Sequence, residues 1–173
     1  GGQHWLTGVE HTPEGQVTED PVMREQMMEK RARKLQQAAR DIPASEKLEI
    51  FGDSKASLTV LTWGSSKGAV LDALQRLKEE GISARAVQLR LLWPFPAGEL
   101  QTILATAAPL VVLECNFSGQ MNELLRQQSG RGCDHLVLKY SGRPVSGEAL
   151  YRALRQIHAG QGEARIVMRN PHE

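Results

Sequence analysis

The stretch with the clearest capacity for chemistry is a short polar turn, Gly64-Ser65-Ser66-Lys67-Gly68, which lies between an apolar segment and a segment of helical periodicity. Backbone N–H groups at a helix N-terminus attract anions, and serine hydroxyls and a lysine ammonium would add donors. The turn lacks both G-x-x-x-x-G-K-[ST] and G-x-G-x-x-G. It therefore predicts either an anion site formed by Gly64, Ser65, Ser66 and Lys67 or an ordinary tight turn, which the missing signatures favour.

Cys115 follows a second apolar segment, at a place where a following helix can lower a thiol pKa. No cysteine or histidine lies beside it in the sequence, so a buried and inert thiol is the favoured interpretation. Its neighbours Glu114 and Asn116 can face a ligand, but a carboxylate at the end of a strand more often caps neighbouring amides.

Histidines and carboxylates elsewhere form no recognisable active site. Glu10 and His11, taken with His4, match no ligand spacing of a helix or turn, and a third strong metal ligand is missing. No serine–histidine–aspartate set and no carboxylate pair is legible. The sequence therefore predicts that this chain alone is catalytically inactive and contains no metal site.

Composition limits the class of protein. The chain has 173 residues, a formal net charge of +1, 40% hydrophobic residues and two cysteines. This predicts one domain with an appendage, no nucleic-acid footprint over the whole chain and no disulfide framework. No apolar run approaches the ~20 residues of a membrane span, and no signal pattern opens the chain, so we expect no membrane partner and a cytoplasmic location. The missing initiator methionine suggests an excised piece.

The elements that must position these residues alternate in type. Leu58–Trp63 is apolar and uncharged, as a buried parallel strand requires, and Val70, Ala73, Leu74 and Leu77 then recur at helical spacing. The same alternation recurs along residues 46–160, which predicts a parallel α/β sheet. Right-handed crossovers then bring the strand-to-helix loops, residues 64–68, 92–96, 115–119 and 140–144, to one edge.

Residues 1–45 form a charged arm. Asp20 and Pro21 predict the start of a helix that runs to Arg40, with six basic residues against two acidic ones and an apolar stripe too narrow to bury much. Two interpretations remain open, a solvated linker helix and a basic helix that binds a partner. Residues 161–173 are predicted to be a tail that trails across a neighbour or is disordered.

Several segments, in order, resemble one family. The arm resembles the segment that joins two domains in the α subunit of 2-oxoacid:ferredoxin oxidoreductases, most closely the 2-oxoglutarate group. The landmarks of the following domain are also similar to that family. The segments that carry the resemblance are Thr7-Gly8-Val9-Glu10-His11 with Gly15, Arg24, Met28, Lys30-Arg31 and Lys34-Leu35, then Trp63-Gly64-Ser65 with Gly68, Pro94-Phe95-Pro96, Glu114-Cys115-Asn116 with Gly119-Gln120, Tyr140-Ser141-Gly142-Arg143-Pro144 and Asn170-Pro171.

The resemblance implies a transketolase C-terminal-like domain over residues 46–160. Its fold would be a three-layer α/β/α sandwich with a five-stranded, mostly parallel sheet whose first strand is antiparallel. In the whole enzyme, thiamine diphosphate with magnesium cleaves the 2-oxoacid, coenzyme A accepts the acyl group, and an iron–sulfur cluster passes electrons to ferredoxin. Those cofactors would lie outside this chain, which has no G-D-G motif and too few cysteines for a cluster.

The resemblance thus implies a non-catalytic structural and assembly domain. Its partners would be the other α-subunit domains and the thiamine-binding β subunit, with homodimerisation as a further expectation. The predicted interface residues are Glu10, His11, Arg31, Lys34, Phe95, Asn116, Gln120 and Arg143. One alternative is a free-standing α/β domain that binds a nucleotide or phosphoryl ligand at residues 64–68. Another, the equivalent domain of a transketolase or dehydrogenase relative, is disfavoured by the Glu10-His11 arm.

Overall fold

The computed structural model describes residue 2, residues 8–107 and residues 109–169. His4, Thr7, Asn170 and Pro171, on which parts of the sequence interpretation depend, lie outside the described residues. The chain divides into two compact units, Gly1–Ile42 and Pro43–Glu173. Each unit is described below by itself.

The first unit holds a short turn and one long helix. Thr12 N donates to Gln16 O over 2.8 Å, and His11 forms an antiparallel bridge with Val17. Helix α1 spans Pro21–Asp41, with the Asp20 carboxylate accepting from Met23 N at 3.0 Å. The predicted N-cap is therefore confirmed, because a short acceptor side chain satisfies an orphan amide of the first turn. No described residue of α1 is buried.

The second unit is built on a six-stranded sheet. Its strands are β1 (Leu48–Gly52), β2 (Leu58–Trp63), β3 (Ala84–Leu89), β4 (Leu110–Glu114), β5 (His135–Leu138) and β6 (Arg165–Val167). They lie in the order β1-β3-β2-β4-β5-β6. Strand β1 pairs antiparallel with β3, and every other pairing is parallel, as the sequence interpretation expected.

Helices cover both faces of this sheet. They are α2 (Ala44–Lys47), α3 (Lys67–Glu79), α4 (Ala97–Thr106), α5 (Gln120–Ser129) and α6 (Gly147–His158). Side chains of α3 and α6 share one buried cluster with Val60, while those of α4 and α5 share a second cluster with Leu61. Since neighbouring strand residues point to opposite faces, β2 serves both layers. The three-layer α/β/α sandwich is thus confirmed.

The number of strands and the fate of the C-terminal segment differ from the prediction. The expected sheet had five strands, but Arg165–Val167 adds a sixth, parallel to β5, inside the predicted tail. Met168 N donates to Leu138 O at 2.8 Å, and the Met168 side chain is buried in the core cluster shared by α3 and α6. The edge strand is only three residues long and alternates exposed, half-buried and exposed side chains, so its apolar run, Ile166-Val167-Met168, is shorter than those of β2 and β4.

None of the helices among the described residues combines the length and the apolar character needed to cross a membrane.

Candidate functional site

The turn after β2 is fastened to the sheet by its own side chains. Gly64 adopts a left-handed conformation, with φ +67°, and a single 3-10 turn, Gly64–Ser66, leads into α3. The buried Ser66 Oγ lies 2.7 Å from Thr62 Oγ1 and 3.1 Å from Trp63 O. Thr62 Oγ1 in turn lies 3.1 Å from Leu113 O on the neighbouring strand. These contacts give the Ser66 hydroxyl a structural role, which is to hold the start of α3 against β2.

Lys67 is directed toward the antiparallel edge of the sheet. Its Nζ donates to Glu49 Oε2 at 2.9 Å and lies 4.6 Å from the centroid of the Phe51 ring. Arg90 Nη2 donates to the same carboxylate oxygen at 2.8 Å. The hydrogen bond from Lys67 lowers the pKa of Glu49, against a smaller opposing effect of burial, and the charge of Arg90 lowers it further. Lys67 therefore neutralises a carboxylate on β1.

A cleft opens beside that turn, at the carboxyl edge of β2, β4 and β5. Its volume is about 570 Å³, and its described lining residues are Ser65, Ser66, Ala69, Cys115, Lys139, Tyr140, Gly142, Arg143, Pro144 and Val145. Three predicted residues, Ser65, Ser66 and Arg143, thus meet at one cavity, while Lys67 is not part of its lining. We name this cavity the carboxyl-edge cleft.

Lys139 is the residue of this cleft that sequence reasoning missed. It follows β5 directly, is 2% exposed, and its Nζ donates to Ser141 Oγ at 2.6 Å. A charged residue directly after an apolar strand was the available signal, because ligands of open α/β sheets bind outside the carboxyl ends of the strands.

Cys115 lies at the cleft and is exposed, which corrects the expectation of a buried thiol. Partial desolvation raises the pKa of its thiol, the negative charge of Glu114 adds to the rise, and the positive charge of Lys139 opposes it. Because the thiolate is the nucleophilic form, this environment does not activate the sulfur. The expectation of an unreactive thiol stays a prediction.

Glu114 and Asn116 hold the start of α5. The Glu114 carboxylate is 1% exposed and accepts from Met121 N at 2.8 Å and Asn122 N at 2.9 Å, and Asn116 Nδ2 donates to it at 2.7 Å. Asn116 Oδ1 accepts from Gly119 N at 2.7 Å. A carboxylate at a helix N-terminus satisfies orphan amides and complements the helix dipole. Capping, the alternative weighed from the sequence, is what Glu114 does here.

In the arm, the predicted interface residues Glu10 and Arg31 bind each other. Arg31 makes two hydrogen bonds of 2.7 Å to the Glu10 carboxylate, and Arg24 also donates to it. The hydrogen bond from Arg31 lowers the pKa of Glu10, with burial opposing and Arg24 adding to the fall. His11 Nδ1 lies 2.8 Å from Thr12 O, and Lys34 is exposed on α1.

The remaining predicted interface residues lie in the second unit. Phe95 is half-buried against the core cluster shared by α4 and α5, and Gln120 is exposed at the first position of α5. Arg143 is exposed at the carboxyl-edge cleft, and Asn116 lies in the loop that precedes α5. For all eight residues, contact with a partner stays a prediction.

Within the part of the chain that the structure describes, no three histidine, cysteine, aspartate or glutamate side chains converge as metal ligands. The sequence holds two cysteines, of which Cys115 is exposed and Cys133 is half-buried. An iron–sulfur cluster is held by four cysteine thiolates, so the residues of this chain do not fit one.

The fold and its edge thus define a three-layer α/β domain with a cleft at the carboxyl edge of its sheet. Residues 56–149 match the sequence family described as pyruvate:ferredoxin oxidoreductase core domain II. The chain belongs to that family.

Similar proteins carry related names. A 2-oxoacid:ferredoxin oxidoreductase alpha subunit of Aeropyrum pernix is 40% identical over 163 residues, which cover 94% of this chain and 25% of the relative. The corresponding subunit of Saccharolobus solfataricus is 34% identical over 162 residues, covering 94% of this chain and 26% of the relative. The chain spans about a quarter of the length of these curated relatives.

A solved structure agrees with these relatives. The 2-oxoglutarate:ferredoxin oxidoreductase from Magnetococcus marinus, solved with 2-oxoglutarate, coenzyme A and succinyl-CoA bound, superposes with a TM-score of 0.75 and 30% identity. The match covers 90% of this chain and 27% of that chain.

Proposed function

We propose that this chain is a structural and assembly domain in the α subunit of a thiamine diphosphate-dependent 2-oxoacid:ferredoxin oxidoreductase, with 2-oxoglutarate as the 2-oxoacid. The observation that carries the proposal is the pattern of coverage. Nearly the whole chain aligns with α subunits of this name, yet it spans only about a quarter of their length. The substrate follows the Magnetococcus marinus enzyme, which is named for 2-oxoglutarate.

The geometry of the carboxyl edge supports a structural role. Ser66, Glu114 and Asn116 all sit where parallel α/β folds commonly place functional groups. In this domain they bind the fold itself, as the contacts of the β2 turn and of α5 describe. Their hydrogen-bonding groups are engaged in fixing the loops, which gives a rigid surface suited to contact with other domains.

We place the reaction chemistry in the remainder of the enzyme. The assembled protein would oxidatively decarboxylate the 2-oxoacid to an acyl-CoA and pass the electrons to ferredoxin. Thiamine diphosphate, Mg²⁺ and the iron–sulfur cluster would be bound by other domains of the α subunit and by the β subunit. A homodimer and a cytoplasmic location complete the proposal.

Reconstitution tests this proposal. The 173-residue chain, assayed with 2-oxoglutarate, coenzyme A and an electron acceptor, should show no turnover and should bind no thiamine diphosphate. In the complete enzyme, two charge changes test the contacts: Lys34→Glu on the arm and Gln120→Lys at the carboxyl edge. Each should lower the fraction of α subunit that co-elutes with the β subunit.

The matched control is the charge reversal Lys78→Glu. Lys78 is exposed in the last turn of α3, at the opposite edge of the sheet, so this variant should leave co-elution unchanged. Turnover by the chain alone would contradict a non-catalytic role. Wild-type co-elution of both edge and arm variants would contradict the proposed contacts with other subunits.

A further inference from the structure

We propose that the exposed apolar face of helix α1 docks into a groove of its own α subunit, in a part of that subunit outside these 173 residues. The inference deepens the proposed function and rests on it, because it requires a larger α subunit around this chain. The docking face consists of Met28, Ala32 and Leu35, which we name the arm stripe.

The first unit has no core among its described residues, none of which is buried. A 21-residue helix in a protein gains most of its stability from the packing of an apolar face. Half of the ten large apolar side chains that are exposed in the described chain belong to this unit, namely Val9, Val17, Val22, Met28 and Leu35. The first unit therefore presents a surface suited to burial against another part of the protein.

Helical geometry aligns the arm stripe into one row. Ala32 follows Met28 by four residues and Leu35 follows it by seven, and residues at these spacings share a face because an α-helix has about 3.6 residues per turn. Met28 is 49% exposed and Leu35 is 43% exposed. The methyl group of Ala32 between them leaves a shallow gap, which a side chain of a partner surface can fill.

The carboxylate of Glu10 fixes the surroundings of this row. The Glu10 side chain is only 10% exposed, and it accepts two hydrogen bonds of 2.7 Å from Arg31 and one from Arg24. Glu10 belongs to the turn that precedes α1, and its carbonyl oxygen accepts from Thr18 N at 3.0 Å. The turn is thereby held against one flank of α1, so the docking surface is preorganised.

The two flanks of the arm stripe carry charges of opposite sign. Arg24 and Arg31 lie on one flank, where two guanidinium groups share the single carboxylate of Glu10. Glu25 lies on the other flank, and the ion pairs of the described residues do not include it. We therefore expect a groove with an aliphatic floor, a carboxylate on the rim beside the arginines and a cation on the rim beside Glu25.

The narrowness of the arm stripe favours an occupant in the same polypeptide. Two large apolar side chains bury too little surface to offset the translational and rotational entropy that two separate proteins lose on association. A groove connected to α1 through the chain avoids most of that loss, because covalent linkage gives it a high effective concentration. The curated α subunits have room for such a groove, since this chain spans only about a quarter of their length.

Photo-crosslinking in the complete enzyme tests which surface covers the arm stripe. A diazirine-bearing amino acid at position 28 should cross-link, on irradiation, to a peptide of the α subunit outside the 173 residues. The matched control carries the same amino acid at position 26, because Gln26 is exposed on the opposite side of α1. That position should give at least tenfold less of the cross-linked peptide.

Hydrogen exchange followed by mass spectrometry measures the burial itself. In the complete enzyme, the amides between Met28 and Leu35 should exchange at least tenfold more slowly than in the 173-residue chain alone. Met28→Asp and Leu35→Asp should each remove that protection. The control Gln26→Asp introduces the same charge into the same helix and should leave the protection unchanged. Met28→Leu should also keep it, because the apolar contact is preserved.

Three results would overturn the inference: equally fast exchange of α1 in the chain and in the complete enzyme, equal loss of protection in Gln26→Asp and Met28→Asp, or a cross-link from position 28 to any surface other than the remainder of the α subunit. A failure of the proposed function is separate, because it shows as turnover by the 173-residue chain alone, whatever the exchange rate of α1.

Discussion

Leu77→Ala and Leu74→Ala on α3 offer a paired test of how this helix faces the sheet. Leu77 is 0% exposed in the core cluster shared by α3 and α6, whereas Leu74 is half-buried and lines an open cavity at the amino edge of the sheet. The four-residue stripe read from the sequence includes both leucines, and only the structure separates their depths.

The expected magnitudes follow from burial. Truncating Leu77 to alanine removes three carbons, and about 0.8 kcal/mol for each gives about 2.4 kcal/mol of lost transfer free energy. The enclosed void that remains adds a cavity cost, so the expected loss is about 3–4 kcal/mol, within the range of buried leucine truncations. Truncating Leu74 only enlarges a solvent-open cavity, and about 1 kcal/mol is expected because roughly half of the transfer term applies.

Urea unfolding followed by circular dichroism measures both losses. The Leu77 variant should also show a melting temperature lower by about 10 °C, given the usual relation for domains of this size. Equal losses for the two variants, or a loss below about 1 kcal/mol for Leu77→Ala, would refute the assigned register of α3.

Three further predictions concern charged groups and thiols. Glu114→Gln should lower the free energy of unfolding by about 1–3 kcal/mol, because the buried acceptor of the α5 amides loses its charge, while the exposed first-turn change Glu123→Gln should cost far less. In a carbon-detected NMR titration, the Glu10 carboxyl group should show a pKa below its ordinary value of 4.5. The stability that its arginine contacts give to the arm should therefore be fully present above pH 4.5 and should be lost as the pH falls through the lower pKa of the folded state. Burial raises the pKa of Cys133 to about 11, so at pH 8 its alkylation should be slower than that of the exposed Cys115, and equal rates would contradict this.

Local signals allowed much of the fold to be predicted. Strand β2 was predicted from its uncharged apolar residues, and α1 from Asp20 and Pro21, because a buried strand and a capped helix start each depend on neighbours in sequence. The resemblance supplied the antiparallel first strand. The sixth strand was missed because Arg165–Val167 gains its stability from pairing with β5, about 30 residues earlier in the chain.

The candidate site was less predictable for the same reason. Lys67 looked like the natural donor to an anion because it opens α3, yet strand pairing brings Glu49 within 2.9 Å of its ammonium. No function was predicted for Lys139 from the sequence, although the parallel order of β2, β4 and β5 places it in one cleft with Ser65. The sequence shows the type of each residue, but the order of the strands in the sheet determines which partners it contacts. Those partners decide whether the residue stabilises the fold.

Buried charged side chains stabilise the domain at both edges of its sheet. Burial lowers the pKa of Arg85, and its guanidinium donates to Ser54 O at 3.2 Å and Ile103 O at 3.1 Å, which fastens the loop after β1 to helix α4. Glu114 does the same for α5 at the carboxyl edge. Both ions are held by backbone groups of the fold, so both contribute to its rigidity. Lys139 is also buried, and its ammonium donates to Ser141 Oγ at 2.6 Å, so it too fastens a loop at the carboxyl edge. The buried charges of this domain thus hold its connections in place, which is what a rigid assembly surface needs.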